Sequence, residues 1–225
     1  MLIAEELLLL CLDEESGRSR LGRDRLEPAL AGALIGELAL RERVGVTAAG
    51  SGWSAWKRRR VTVIDLTPTD DAELDRALEA VAAAEGRPVR DLVSSGSSRR
   101  LSKGLRERLL ERLAAAGVLD ERVGTVLGFI PRTTWPARDR SAEDEVRRRL
   151  HAALVAGLTP TERTVTLVGL LQVTGALTKV LEVEDRKVLK ARAMALTEGD
   201  WVAREVKRAI DEAAAAGATA AGGAT

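Results

Sequence analysis

Three basic residues recur at helical spacing. Arg99, Lys103 and Arg106 stand at i, i+4 and i+7 in the stretch RRLSKGLRERLLERL, so they would line one face of a helix. Such a face suits the recognition of an anion. The chain offers little for catalysis. Its only histidine, His151, follows three arginines on a helical pattern and reads as a surface residue. There is no Gly-rich phosphate loop, no Cys/His metal set and no nucleophile elbow. The carboxylates are dispersed among arginines, as in ordinary surface ion pairs. The expectation is a binding protein rather than an enzyme, with no cofactor and no metal site.

The composition bounds what can position that face. At 225 residues the chain makes one generous domain or two small ones. Aromatic residues are 2% of the total, so Leu, Val and Ala must build the core, and these favour helices. The formal net charge is +1, which argues against a nucleic-acid binder and leaves any anion site to local clustering. The single cysteine, Cys11, lies in the run LLLLCL and reads as a small core hydrophobe in a reducing compartment. The amino terminus, MLIAEE, lacks the basic region of a secretory signal. No apolar run reaches the ~18 residues of a membrane span.

The pattern predicts a mainly α fold: a helical bundle around a central buried helix, with short β-hairpins at its edge. Ile3–Leu12 is apolar nearly all round and reads as a buried first helix. Leu26–Val44 follows, with Glu37 inside its apolar stripe, where a carboxylate is expected to pair with a nearby arginine. Val44–Ala48 and Arg60–Leu66 form a hairpin whose loop carries Trp53 and Trp56, an interface or a lid over the core. A helix led by Thr69 or Asp70 carries Leu74, Ala77, Leu78 and Val81 at i, i+3, i+4 and i+7. The basic helix spans Arg99–Ala116. FIPRTTWPARD, at 129–139, has prolines on either side of Trp135 and predicts a projecting hairpin or loop with an exposed indole. Ser141 caps the next helix. Thr159-Pro160-Thr161-Glu162 opens Val165–Leu181, the expected central helix. Asp185–Leu196 and Asp200–Ala213 complete a single domain over 1–213, and the Ala/Gly/Thr-rich tail at 214–225 is expected to be flexible.

In that order the pieces resemble the Golgi phosphoprotein 3 family of peripheral membrane proteins. EELLLLCLDEESGR is similar to the family's opening segment, GALIGELALRERV to its second helix, and TPTDDAELDRALE to its lead into an acidic amphipathic helix. LRERLLERLAAAGVL is similar to its basic helix, and FIPRTTWPARD falls where the family has a hairpin. The resemblance covers about Leu2 to Ala213. It implies a flat basic surface that docks on membranes and takes the headgroup of phosphatidylinositol 4-phosphate, an adaptor role toward membrane-associated proteins, and a hairpin engaged in membrane contact or self-association. The two basic positions of the family's headgroup site fall on Lys103 and Arg106. The family's Trp and a further Arg of that site fall on Gly22 and Ala31, so half the pocket departs from the pattern. Arg20, Arg23 and Arg25 stand near in sequence.

The resemblance thus implies an anionic phospholipid surface as the partner of Lys103 and Arg106, joined by Arg99 through its helical spacing, at the inner face of a membrane in the cytoplasm. An anionic leaflet attracts basic residues by about 1 kcal/mol each, so three or four aligned cations supply about 3–4 kcal/mol, which is weak and reversible attachment. Trp135 is the expected second contribution, dipping into the headgroup boundary with Arg132 and Arg138 holding phosphates beside it. The alternative for Trp135 is packing inward or against a sister subunit. The alternatives for the whole chain are a lipid-independent protein scaffold and, against its charge, a winged-helix nucleic-acid module.

Overall fold

An apolar run with no polar face must be surrounded on every side, and α1 (Ile3–Cys11) is: all nine of its residues are buried. It appears in the computed structural model, which describes residues 1–48, 59–94, 101–126 and 130–222. The fold is mainly α. After α1 come α2 (Arg23–Leu40), β1 (Val44–Ala48), β2 (Arg59–Val63), α3 (Ala72–Ala82), α4 (Val89–Val93) and α5 (Leu105–Ala115). These are followed by β3 (Arg122–Val126), β4 (Ile130–Thr134), α6 (Ser141–Leu154), α7 (Glu162–Val173), α8 (Leu177–Val180), α9 (Arg186–Leu196) and α10 (Trp201–Gly222). The helix α10 runs past the domain end expected at 213.

The centre of the bundle is α2, not the segment Val165–Leu181. It packs against α1, α3, α4, α5, α7 and α10. The sequence pointed elsewhere because Val165–Leu181 is richer in large apolar residues, whereas α2 reaches its neighbours through small ones. A Cβ on Gly32 would stand 2.2 Å from Cγ2 of Val206 in α10, and one on Gly36 would stand 2.9 Å from Cγ2 of Thr166 in α7. Hydrogen in place of a side chain lets both helices come against α2. The expected central helix is also cut short: α7 ends at Val173, and Gly175 turns the chain into the short α8.

Among the described residues the strands form two separate antiparallel pairs. β1 pairs with β2 from Val44 opposite Val63 to Ala48 opposite Arg59, and β3 pairs with β4 from Arg122 opposite Thr134 to Val126 opposite Ile130. β3 was not foreseen. Paired with β4, it places Trp135 just beyond the end of β4, at the base of the hairpin and not at its tip. Trp53 and Trp56 lie outside the described residues.

Side-chain oxygens cap several helix starts. Asp71 accepts from the Glu73 and Leu74 amides at the start of α3, one residue after the expected cap. Thr161 caps α7 by accepting from the Thr164 amide, and Asp185 caps α9. Cys11 is core, and burial pushes its thiol up to about 12.

Asp200 caps α10 through Oδ1, which accepts from the Val202 and Ala203 amides at 2.9 and 3.2 Å. Its Oδ2 is buried with no hydrogen-bond partner. Burial raises the pKa of this carboxyl, and the two amides offset only part of that. A carboxyl that holds its proton more tightly in the folded state destabilises the fold at neutral pH. The penalty fades as pH falls through the raised value and is gone below the unfolded one. Asp200→Ser keeps a capping oxygen and removes the orphaned one. The variant is expected to melt above the parent at pH 7, with the gap closing as the solution is acidified, in thermal melts run from pH 7 to pH 3.

Candidate anion-binding surface

The start of α5 is set by Gly104, whose φ of +66° lies in the left-handed region. That turn ends the preceding segment, the Ser102 carbonyl accepts from the Leu105 amide, and the helix begins at Leu105. Lys103 therefore sits in the turn before α5, not on one regular helix with Arg106. The reading of one regular helix over 99–116 is corrected on this point. Arg99 itself lies outside the described residues. Lys103 is exposed and, among the described residues, forms no ion pair. Arg106, in the first turn of α5, is 22% exposed, with Nη1 3.6 Å from Glu107.

The remaining arginines of α5 are committed to the interior. Nε of Arg108 donates to both carboxylate oxygens of Glu73, at 2.8 and 3.0 Å. Arg112 grips Asp71 with two nitrogens at 2.9 and 2.8 Å and donates to Glu5 at 3.0 Å. The Asp71 bonds, with Glu5, raise the pKa of Arg112. Burial pushes Asp71 up, but Arg112 and the Leu74 amide more than offset it and leave the carboxyl below its ordinary value. Leu105, Leu109, Leu110 and Leu113 are the buried side of the helix. Lys103 and Arg106 are what the N-terminal end of α5 leaves for a ligand.

The start of α2 comes to the same place. Arg23, its first residue, is 73% exposed and reaches Glu107 with Nη2 at 3.1 Å. It also lies 3.5 Å from Glu27. Arg25 is exposed beside Asp24, at 4.0 Å. Arg20 leans on Asp13 at 3.6 Å instead. Gly22 is the N-cap of α2 and has no side-chain cap. Ala31 is fully buried within α2, so no cation reaches the surface from that position.

Two helix starts thus carry Arg23, Arg25 and Arg106 in their first turns. The positive end of the macrodipole disfavours cations there by about 0.3–1 kcal/mol each. Departures from local rules of this kind concentrate at functional sites, and amide-rich helix starts favour anions. The sequence reading began this helix at Leu26, so neither the place of Arg23 in its first turn nor its partner on α5, 84 residues away, was legible.

The hairpin residues fare differently. Trp135 is 9% exposed and belongs to the core. The expectation of an exposed indole at a tip is corrected, because the residues around it are strapped down. The Asp120 amide donates to the Pro136 carbonyl, Ala137 to Glu14, and Arg138 to Val118. Gly17 lies so close that a Cβ there would stand 2.1 Å from the Trp135 carbonyl carbon. Arg138 is exposed. Arg132 pairs with Gly124 across the hairpin, and its side chain lies outside the described portion.

Among the described residues no group of His, Cys, Asp and Glu is placed to hold a metal ion, and no helix is long and apolar enough to cross a membrane. Compared with known proteins, the chain matches the family of Golgi phosphoprotein 3 (GPP34) over residues 3–213. It is 29% identical over 167 residues to vacuolar protein sorting-associated protein 74 of Eremothecium gossypii, covering 68% of this chain and 49% of that protein. The chain therefore spans about half the length of this curated relative.

Proposed function

The chain belongs to the Golgi phosphoprotein 3 family, and from that premise we propose that it is a non-enzymatic, peripheral membrane protein that binds anionic phospholipid headgroups. The contact is made by Lys103 and Arg106, on the cytoplasmic face of a membrane, and the bound protein serves as an adaptor for membrane-associated partners. The name of the relative from Eremothecium gossypii ties that protein to sorting, which is consistent with an adaptor. The observation that carries the reading is the convergence of two cation-bearing helix starts, with Lys103 exposed and free of an ion pair among the described residues. An exposed ammonium is a point charge for phosphate, and the guanidinium of Arg106 adds a planar fork.

The test is flotation with vesicles containing a fixed fraction of anionic lipid. Each cation near a charged leaflet is worth about 1 kcal/mol, so Lys103→Ala/Arg106→Ala is expected to bind ~10–30-fold more weakly than the parent. Binding of the parent should fall as salt rises past the screening range. A panel comparing phosphatidylinositol 4-phosphate with other anionic lipids then identifies the headgroup. A double variant that floats like the parent would leave a lipid-independent scaffold as the function.

A further inference from the structure

Glu107 stands between two guanidinium groups. Its Oε1 is 3.1 Å from Nη2 of Arg23 and 3.6 Å from Nη1 of Arg106. A carboxylate near both offsets the repulsion between like charges brought together from two helices, and in the free protein that anion is a carboxylate of the chain itself. We propose that Arg23 is a third cation of the headgroup site, and that Glu107 is a built-in counter-ion which the phosphate group of an anionic lipid displaces. The proposal rests on the membrane-binding reading above and adds to it a residue that determines affinity and one that opposes it.

The exchange is physically cheap. Arg23 is 73% and Glu107 47% exposed, and exposed pairs of this kind contribute little to stability. A phosphate offers what the carboxylate offers, with more charge and more acceptor oxygens. It would also sit at the amide ends of α2 and α5, whose N-caps, Gly22 and Gly104, make no side-chain cap. The local charges favour the exchange. Arg23 and Arg106 share Glu107, and Arg23 also nears Glu27, so removing the Glu107 charge leaves the two guanidinium groups with less to neutralise them.

Arg23 also accounts for how the chain manages without the expected cation at position 31. Ala31 is enclosed in the core. Arg23 enters from the first turn of the same helix and meets Arg106 across Glu107. A contact that only tied α2 to α5 would place the two guanidinium groups equally well, but it would leave binding indifferent to Glu107.

The experiment measures binding of full-length protein to phosphatidylglycerol vesicles at fixed ionic strength. Glu107→Gln is expected to bind about three- to fivefold more tightly than the parent, and Arg23→Ala about fivefold more weakly. Glu111→Gln is the charge-matched control, an exposed carboxylate elsewhere on α5, and should change binding much less than Glu107→Gln. Inorganic phosphate, compared with chloride at equal ionic strength, should compete with the vesicles for the parent and compete less well for Arg23→Ala. Equal gains from Glu107→Gln and Glu111→Gln would reduce the effect to net charge and overturn the counter-ion role. Parent-like binding by Arg23→Ala would remove Arg23 from the site. If in either case Lys103→Ala/Arg106→Ala still binds weakly, only this inference fails. If that double variant also binds like the parent, the membrane reading fails with it. Thermal melts of all variants identify any loss that comes from unfolding.

Discussion

Arg163→Ala is expected to lower the midpoint of thermal unfolding by ~6–12 °C, the result of a loss of about 3 kcal/mol in a chain of this size. Arg163, in the first turn of α7, holds three separate parts of the fold. Its Nη1 donates to both carboxylate oxygens of Glu37 in α2, at 2.8 and 2.7 Å. Its Nη2 donates to Glu6 in α1 at 3.2 Å and to the Met1 carbonyl at 2.6 Å. Glu37 and Glu6 are themselves buried. Removing the guanidinium leaves carboxylates inside the protein short of donors, which costs far more than an exposed ion pair contributes.

The loss is held to the lower end of the range for buried pairs because each acid keeps another partner. Glu37 retains Arg41 at 3.4 Å and the Ile3 amide at 2.9 Å, and Glu6 retains Arg149 at 2.9 Å. Arg163→Lys, with one ammonium in place of a fork, cannot satisfy Glu37, Glu6 and Met1 together and should recover only part of the stability. A double-mutant cycle with Glu37→Gln should show a coupling above ~1 kcal/mol. Additive effects would mean that the pair is not a tie between α7 and α2.

The same pair shows what could be read in advance. A carboxylate in an apolar stripe announced that Glu37 needed an arginine. The local pattern supplied Arg41, one turn away, but not Arg163, 126 residues away. Helices with one clear apolar face were legible because burial and periodicity are the same statement there: in α3, Leu74, Ala77, Leu78 and Val81 are all buried. The central position of α2 was not, since it depends on absent side chains at Gly32 and Gly36, and a missing methyl group has no hydropathy signal. Lys103 and Arg106 were legible as a basic pair. Their geometry was not, because the left-handed Gly104 lies between them and reads in a sequence only as a weak helix residue. β3, with Gly124 at its centre and arginine at its start, is too short and too mixed to stand out.

Trp135→Ala tests the largest disagreement between sequence and structure. An indole at the bilayer would leave stability almost unchanged when truncated and would weaken vesicle binding. The indole of this protein is buried among core residues, with the following backbone strapped to Val118, Asp120 and Glu14. Its truncation opens a large cavity under that strap, and the expected loss is about 3–5 kcal/mol, a fall of ~6–20 °C in melting temperature. Below the lowered midpoint the basic cluster formed by α2 and α5 is intact, because the Arg23–Glu107 and Arg106–Glu107 pairs do not involve Trp135. Folded Trp135→Ala is therefore expected to float with anionic vesicles as the parent does. The two readings differ in both observables, so neither outcome is ambiguous. A variant that melts like the parent but no longer floats would put Trp135 at the membrane. One that melts early and still floats leaves lipid attachment to the cations alone, which at about 1 kcal/mol each makes it weak, reversible and dependent on ionic strength.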